Sequence, residues 1–319
     1  MYKVSENRNE KGKELRVAVV ESIQELISEN DKVVALEADL GGASKFTNIQ
    51  KTNPENFIQC GISEANMIGV GCGLSSEGFI PYVHTFGPFA SRRVYDQVYL
   101  SGAYAHNTIN IYGSDPGFTV GPNGGTHTTW EDVALMREIP GAIVADPCDE
   151  TQTRWLVKEV SKQEGVHYIR ANRKDVRNVY TADSTFEIGK GNVLRKGEDI
   201  LIISAGQLVS DALDCAEKLE KEGYSVEVID MFCIKPLDQD LVISQSKGKK
   251  AVVTFENHSI YGGLGSAVAE VLMENGICVP FKRHGVNDRF GQVGTPDFLQ
   301  KEFHLTADDL YETIKSIVK

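Results

Sequence analysis

Residues 60–89 read CGISEANMIGVGCGLSSEGFIPYVHTFGPF, and the fold class follows from them. Ser63 is a suitable helix N-cap and Glu64 puts an acid in the first turn, so a helix is expected from Ser63 to about Ser76. Its body carries Gly69, Gly71 and Gly73, and a glycine weakens an isolated helix by about 1 kcal/mol. A helix that keeps three of them is expected to pack against another backbone at close range, which marks it as a candidate interface. PYVHTF (81–86) then reads as a strand.

The same alternation extends in both directions. Upstream, a polar arm (1–13) leads into a helical pattern over 16–28 and a buried-strand pattern, KVVALEADL, ending at Gly41-Gly42. Downstream come an expected helix over 90–104, a strand in NTINIYG, a strand in GAIVADP, a helix in ETQTRWLVKEVSKQ and a strand in VHYIRAN. The loop SDPGFTVGPNGGTHTT (114–129) is dense in Gly, Pro, Asn and Asp and is read as irregular. It is longer than most connections in a compact domain, which makes it a functional candidate. Residues 172–199 are polar and turn-rich, and after them the strand–helix alternation restarts. The expected fold is α/β in two domains, 1–185 and 190–319, each a mostly parallel sheet flanked by helices.

Composition narrows the partners. Lys and Arg total 33 against 45 Asp and Glu, a formal charge of -12, which argues against nucleic acid or an anionic membrane surface. The six cysteines are scattered without zinc spacing, so buried free thiols are expected, and no metal ligands are assigned to this chain. The start is polar and lacks the apolar core of a signal peptide, and no stretch approaches the roughly 20 apolar residues of a membrane span. A cytoplasmic protein is expected.

Motif by motif, the signals are weak. GGLGSA (262–267) has the look of a phosphate-cradling loop, but no full dinucleotide fingerprint accompanies it, and tight packing at a helix start is the preferred reading. The order of several pieces says more. GISEANM (61–67), then TF (85–86), then GGTH (124–127), with FENHSIYGGLGSAVAEVL (255–272) near the end, resembles transketolases over about residues 14–319.

That resemblance implies a thiamine-diphosphate enzyme in which Glu64 handles the proton of the aminopyrimidine ring, the role of a positioned carboxylate in general acid–base work. It implies Asp39, Leu40, Ile62, Phe86, Phe89 and Arg92 around that ring, with Phe89 at the stacking position. Arg92 stands where transketolases often carry a tyrosine. Arg16 and Arg170 match two arginines that hold the sugar phosphate, a task suited to the guanidinium fork. His127 matches a histidine near the donor's reactive carbon, a second catalytic candidate. Ser44, with Ala43 competing one position away, stands for a phosphate-binding serine. Asn123 replaces an aspartate that reads a sugar hydroxyl, and Ser114 or Asp115 replaces a phosphate-contacting histidine. These departures suggest a branched or modified ketose phosphate.

The family's GDG motif, which holds Mg²⁺ and the diphosphate, is absent from this sequence. The resemblance therefore implies an N-terminal partner subunit that supplies the metal site, and a heterotetramer in which this chain also pairs with itself. The rival enzyme reading is the beta subunit of a 2-oxo-acid or acetoin dehydrogenase. The non-enzyme reading is a structural or regulatory subunit.

Overall fold

The computed structural model describes residues 1–318. Among the described residues, twelve strands form two sheets: β1 (Val33–Glu37), β2 (Phe57–Gln59), β3 (Ile80–Phe86), β4 (Ile109–Ser114), β5 (Ile143–Ala145), β6 (Val166–Ala171), β7 (Asn192–Arg195), β8 (Ile200–Ser204), β9 (Val226–Asp230), β10 (Cys233–Lys235), β11 (Ala251–Ser259) and β12 (Phe281–Val286). The first sheet runs β10-β5-β6-β4-β3-β1-β2 and the second β12-β11-β8-β9-β7. All pairings are parallel except β10 on β5 and β7 on β9. Both sheets are thus mostly parallel and covered by helices, and β1, β4 and β6 are buried along their whole length. One edge strand of the first sheet, β10, comes from the second half of the sequence, so the two domains share a sheet.

Register brings the strand exits together. Phe86 pairs with Ser114, and Ser114 with Ala171, so β3, β4 and β6 end at one rim. In open α/β sheets ligands bind outside the carboxyl ends of the strands. The turn after β1 reaches the same rim. There the buried Glu37 carboxylate accepts from the Leu40 amide (2.6 Å) and Gln59 (3.1 Å), which fixes a turn with Asp39 at φ 61°.

Several expectations need correction. The helix expected over 90–104 is broken: a turn of helix at Gly87–Ala90, non-helical residues 91–94, a turn at Tyr95–Gln97 and a π-helix over Val98–Tyr104. The break lies at Ser91 (φ -117°, ψ -89°), whose hydroxyl donates to the Gly87 carbonyl (2.7 Å). The loop 114–129 is not wholly irregular, since Gly117–Asn123 winds as a 3₁₀ segment, kinked at Gly121 (φ 61°). In the helix Glu64–Ser76, only Gly71 packs inward, where an added Cβ would meet Ile109 and Val83 at 3.2 and 3.3 Å; Gly69 and Gly73 face outward with nothing within 4 Å. Ser63 sits at the N-cap but makes no capping bond. The cysteines are all free, but Cys60 is half-buried and Cys278 exposed.

GGLGSA is a packed helix start. The buried Glu256 carboxylate accepts from the Leu264 and Gly265 amides at 2.7 and 2.9 Å, so an internal acid already fills the place a phosphate would take. No described helix is long and apolar enough to cross a membrane.

Candidate active site

Glu64 opens the helix Glu64–Ser76 and is buried, 4% exposed. Its Oε1 accepts from Arg93 Nη1 at 2.6 Å. The Arg93 guanidinium lies over the Phe89 ring, its carbon 3.7 Å from the ring centroid. His127 meets Phe89 edge-on at 5.2 Å and Phe86 at 5.8 Å. Glu64, Phe86, Phe89 and His127 are therefore gathered at one place. Partial burial, and then the charge of Arg93, hold the His127 imidazole below the usual histidine range, so it is neutral at pH 7. Its Nδ1 lies 2.9 Å from the Thr126 hydroxyl.

The loop that carries His127 is held from three sides. Arg92 binds Glu131 (2.6 Å) and donates to the Thr126 carbonyl (3.2 Å). Asn257, from the second sheet, accepts from the Phe118 amide (3.2 Å) and donates to the Pro116 carbonyl (3.0 Å). Residues 291–294 pack against its glycines, and a Cβ on Gly125 would come within 2.3 Å of the Gly291 carbonyl oxygen. The second domain thus shapes the site without entering it. Arg92, expected at the ring pocket, braces this loop, and its neighbour Arg93 takes the place beside Glu64.

A basic lip lies alongside. Arg16 binds Glu14 through two contacts (2.9 and 3.0 Å) and donates to the Ala43 carbonyl (2.6 Å); Lys45 reaches Glu14 at 2.8 Å. Arg16 first, with Lys45 adding to it, pulls the Glu14 carboxyl down to about 2. Arg173 pairs with Asp115 and rests its guanidinium 4.9 Å from the Phe86 centroid. Burial pushes the Asp115 carboxyl up to about 6 although Arg173 works in the opposite direction.

Three expected phosphate contacts are not available at this lip. Arg170 is 1% exposed, and its guanidinium is consumed by Asp132 (2.8 Å), Asp146 (2.8 Å) and the Asn257 carbonyl (2.6 Å). It joins the two domains; the accessible arginine is Arg173, three residues on. Ser44 is buried, its hydroxyl accepting from the Phe46 amide (3.2 Å) and turned to the carbonyls of Leu40 and Gly41. Asp115 is buried against Arg173 and orients that side chain. Ser114 is buried too, 3.0 Å from His84. Asp39, Ile62 and Asn123 are exposed and Leu40 half-buried. Among the described residues no group of three or more His, Cys, Asp or Glu could hold a metal.

Arg93, Arg173, Asn257 and the 291–294 segment escaped the sequence reading. Arg173 had one cue: it lies just outside β6, a central strand with no solvent face, whereas Arg170 lies within it.

Family models agree with this architecture. The model described as "Transketolase, pyrimidine binding domain" matches residues 11–179, and "Transketolase, C-terminal domain" matches residues 189–310. The 6-deoxy-6-sulfo-D-fructose transketolase subunit of Clostridium sp. (strain MSTE9) is 42% identical over 306 residues, 96% of this chain and 94% of its own length. An apulose-4-phosphate transketolase subunit of Phocaeicola vulgatus is 32% identical over 305 residues, covering 95% of this chain and 97% of its own. A solved structure described as "Split gene transketolase, inactive beta4 tetramer" superposes with a TM-score of 0.89 at 39% identity, covering 96% of this chain and 99% of that one. With both domain models matched over most of its length, and with relatives aligned nearly end to end, the chain belongs to the transketolase family.

Proposed function

We propose that this chain is one subunit of a split, thiamine-diphosphate-dependent transketolase, and that it moves a two-carbon ketol unit between phosphorylated sugars. The observation that carries this reading is the meeting of a buried carboxylate (Glu64), an aromatic ring (Phe89) and a histidine (His127) beside a basic lip. This group of residues suits an aminopyrimidine: the Arg93 guanidinium, a planar N–H donor, already lies over Phe89 with a bond to Glu64, so a planar group can take that place. When bound, thiamine diphosphate supplies the nucleophile and electron sink for cleaving the carbon–carbon bond next to a ketone.

The chain's own residues do the rest. Glu64 holds and moves a proton at the ring nitrogen. Phe89 fixes the ring plane, with Phe86 beside it. Asp39, Leu40 and Ile62 line the approach. Neutral His127 exchanges a hydrogen bond with a donor hydroxyl near the carbonyl. Arg16 and Arg173 take the phosphate, each releasing an internal carboxylate to do so. Asn123, exposed on the His127 loop, meets the sugar chain. The two relatives are named for 6-deoxy-6-sulfo-D-fructose and apulose-4-phosphate, which supports a modified sugar here.

The metal and diphosphate site is assigned to an N-terminal partner subunit, which would bring Mg²⁺. This chain would also pair with itself in a heterotetramer. The outward Gly69 and Gly73, and the exposed Leu100 (49%) and Tyr104 (78%) of the π-helix that packs against the same helix, are the surface offered for that pairing. Gly69→Leu is expected to halve the assembled mass in native mass spectrometry; an unchanged mass would move the interface elsewhere.

The test is reconstitution. The chain is mixed with the diphosphate-domain subunit of its own organism, thiamine diphosphate and Mg²⁺, and assayed against a panel of ketose phosphates. Ketol transfer is expected, and Arg173→Ala should raise KM for the phosphorylated sugar about tenfold or more, the worth of a charge-assisted phosphate contact. Decarboxylation of a 2-oxo acid without sugar transfer would replace this reading with that of a dehydrogenase beta subunit.

A further inference from the structure

We infer that Arg93 is an internal stand-in for the aminopyrimidine ring: in the free subunit it occupies the ring's place between Phe89 and Glu64, and the cofactor binds by displacing it. The inference rests on the thiamine-diphosphate reading above, and three observations carry it. First, the guanidinium carbon lies 3.7 Å from the Phe89 centroid, which is van der Waals contact. Nothing else can lie between them, so a stacked ring and Arg93 are mutually exclusive on that face. His127 stands edge-on to Phe89 at 68° and Phe86 is tilted at 51°, so neither offers a second flat surface beside it. Second, Arg93 donates to Glu64 Oε1 at 2.6 Å. A planar group with an in-plane N–H directed at this carboxylate, over this phenyl ring, reproduces what an aminopyrimidine presents once its ring nitrogen carries the proton.

Third, the two partners of the ion pair are unlike. The Glu64 side chain is 5% exposed and the Arg93 side chain 44%. A buried carboxylate without a partner is costly. Arg93 supplies that partner before any cofactor is present and can return to water at little loss. Arg92 makes the contrast: it is held by both Glu131 and the Thr126 carbonyl, whereas among the described residues Arg93 makes no side-chain hydrogen bond besides the one to Glu64. Arg93 therefore acts as a positioning residue. It keeps the Glu64 carboxylate in place and lowers cofactor affinity by the strength of its own contacts.

The predicted sign is opposite to that of an ordinary structural or ligand contact. Removing Arg93 should tighten binding. A half-exposed ion pair and one guanidinium–aromatic contact together correspond to about a tenfold change in affinity. The first arm uses the full chain alone, with 4-amino-2,5-dimethylpyrimidine as probe and ligand-observed NMR as readout. Arg93→Ala is expected to bind it about tenfold more tightly than the unmodified chain, and Arg93→Lys, which keeps the charge but loses the flat face, to fall between. The second arm is calorimetric: thiamine diphosphate with Mg²⁺ is titrated into the complex of the two subunits, where the same order is expected.

If Arg93→Ala binds either probe equally or more weakly while circular dichroism shows the fold intact, the stand-in is overturned, and a weaker value would make Arg93 a direct cofactor contact. If the unmodified complex binds no thiamine diphosphate at all, the functional reading fails. The first arm still decides the displacement in that case.

Discussion

Glu64→Gln is expected to lower ketol transfer by the reconstituted enzyme roughly 10²- to 10⁴-fold, the range for removing a positioned general acid–base group. Glutamine keeps the shape and one acceptor oxygen but cannot take up and return a proton. The same position has a bland explanation, because an acid in the first turn of a helix is worth about 0.3–1 kcal/mol against the helix dipole. The two explanations separate on stability. Glu64 lies at the first position of the helix and its carboxylate bonds to Arg93 rather than to a backbone amide. Losing an ion pair whose other partner is 44% exposed shifts stability by about 1 kcal/mol or less. Turnover should therefore collapse while the thermal midpoint and the assembled mass stay close to those of the unmodified protein. Full turnover in Glu64→Gln would remove Glu64 from the chemistry.

Why Glu64 was legible and Arg93 was not has a physical basis. Ser63-Glu64 followed by an apolar helical stretch states a helix start in local terms, and the helix observed is Glu64–Ser76. The strands were legible for the same reason: runs such as VVALE and VHYIRA are continuous and short. Arg93 depends on a non-local event. Ser91 turns its hydroxyl back on Gly87, ends the expected helix and sends two adjacent arginines to different partners, Arg92 to Glu131 and Arg93 to Glu64. Nothing in the pattern SRRV announces that break. The reach of the second domain into the site was hidden likewise, since Asn257 and Gly291 lie more than a hundred residues from the loop they hold.

Arg170, expected to hold the phosphate and found buried in an ion-pair network, yields the second large effect. Arg170→Ala is expected to destabilise the protein by about 3–5 kcal/mol, because it strands Asp132 and Asp146 as buried charges without their cation. The other nitrogen near them, His258 Nε2, lies 3.9 Å from Asp132, and burial holds that imidazole down at about 4. Asp132 is fully buried and keeps the Tyr168 hydroxyl at 2.9 Å, while the pair of acids shares one guanidinium at 2.8 Å each. Burial already pushes the Asp146 carboxyl up to about 6 with Arg170 pulling against it, so removing the arginine drives that acid further toward its neutral form. The bond to the Asn257 carbonyl adds a consequence for the site. Arg170 fixes the β11 end that braces the His127 loop through Asn257, so its loss loosens both domain contacts at once. At a few degrees per kcal/mol for a protein of this size, the thermal midpoint should fall by about ten degrees. Arg173→Ala strands a single buried acid, Asp115, outside the sheet, so it should lower that midpoint by less than Arg170→Ala does and raise KM for the phosphorylated sugar as well. Differential scanning calorimetry and steady-state kinetics on the two variants decide the assignment. A stable Arg170→Ala with a raised KM would return the phosphate to Arg170 and require the buried network to open during the reaction.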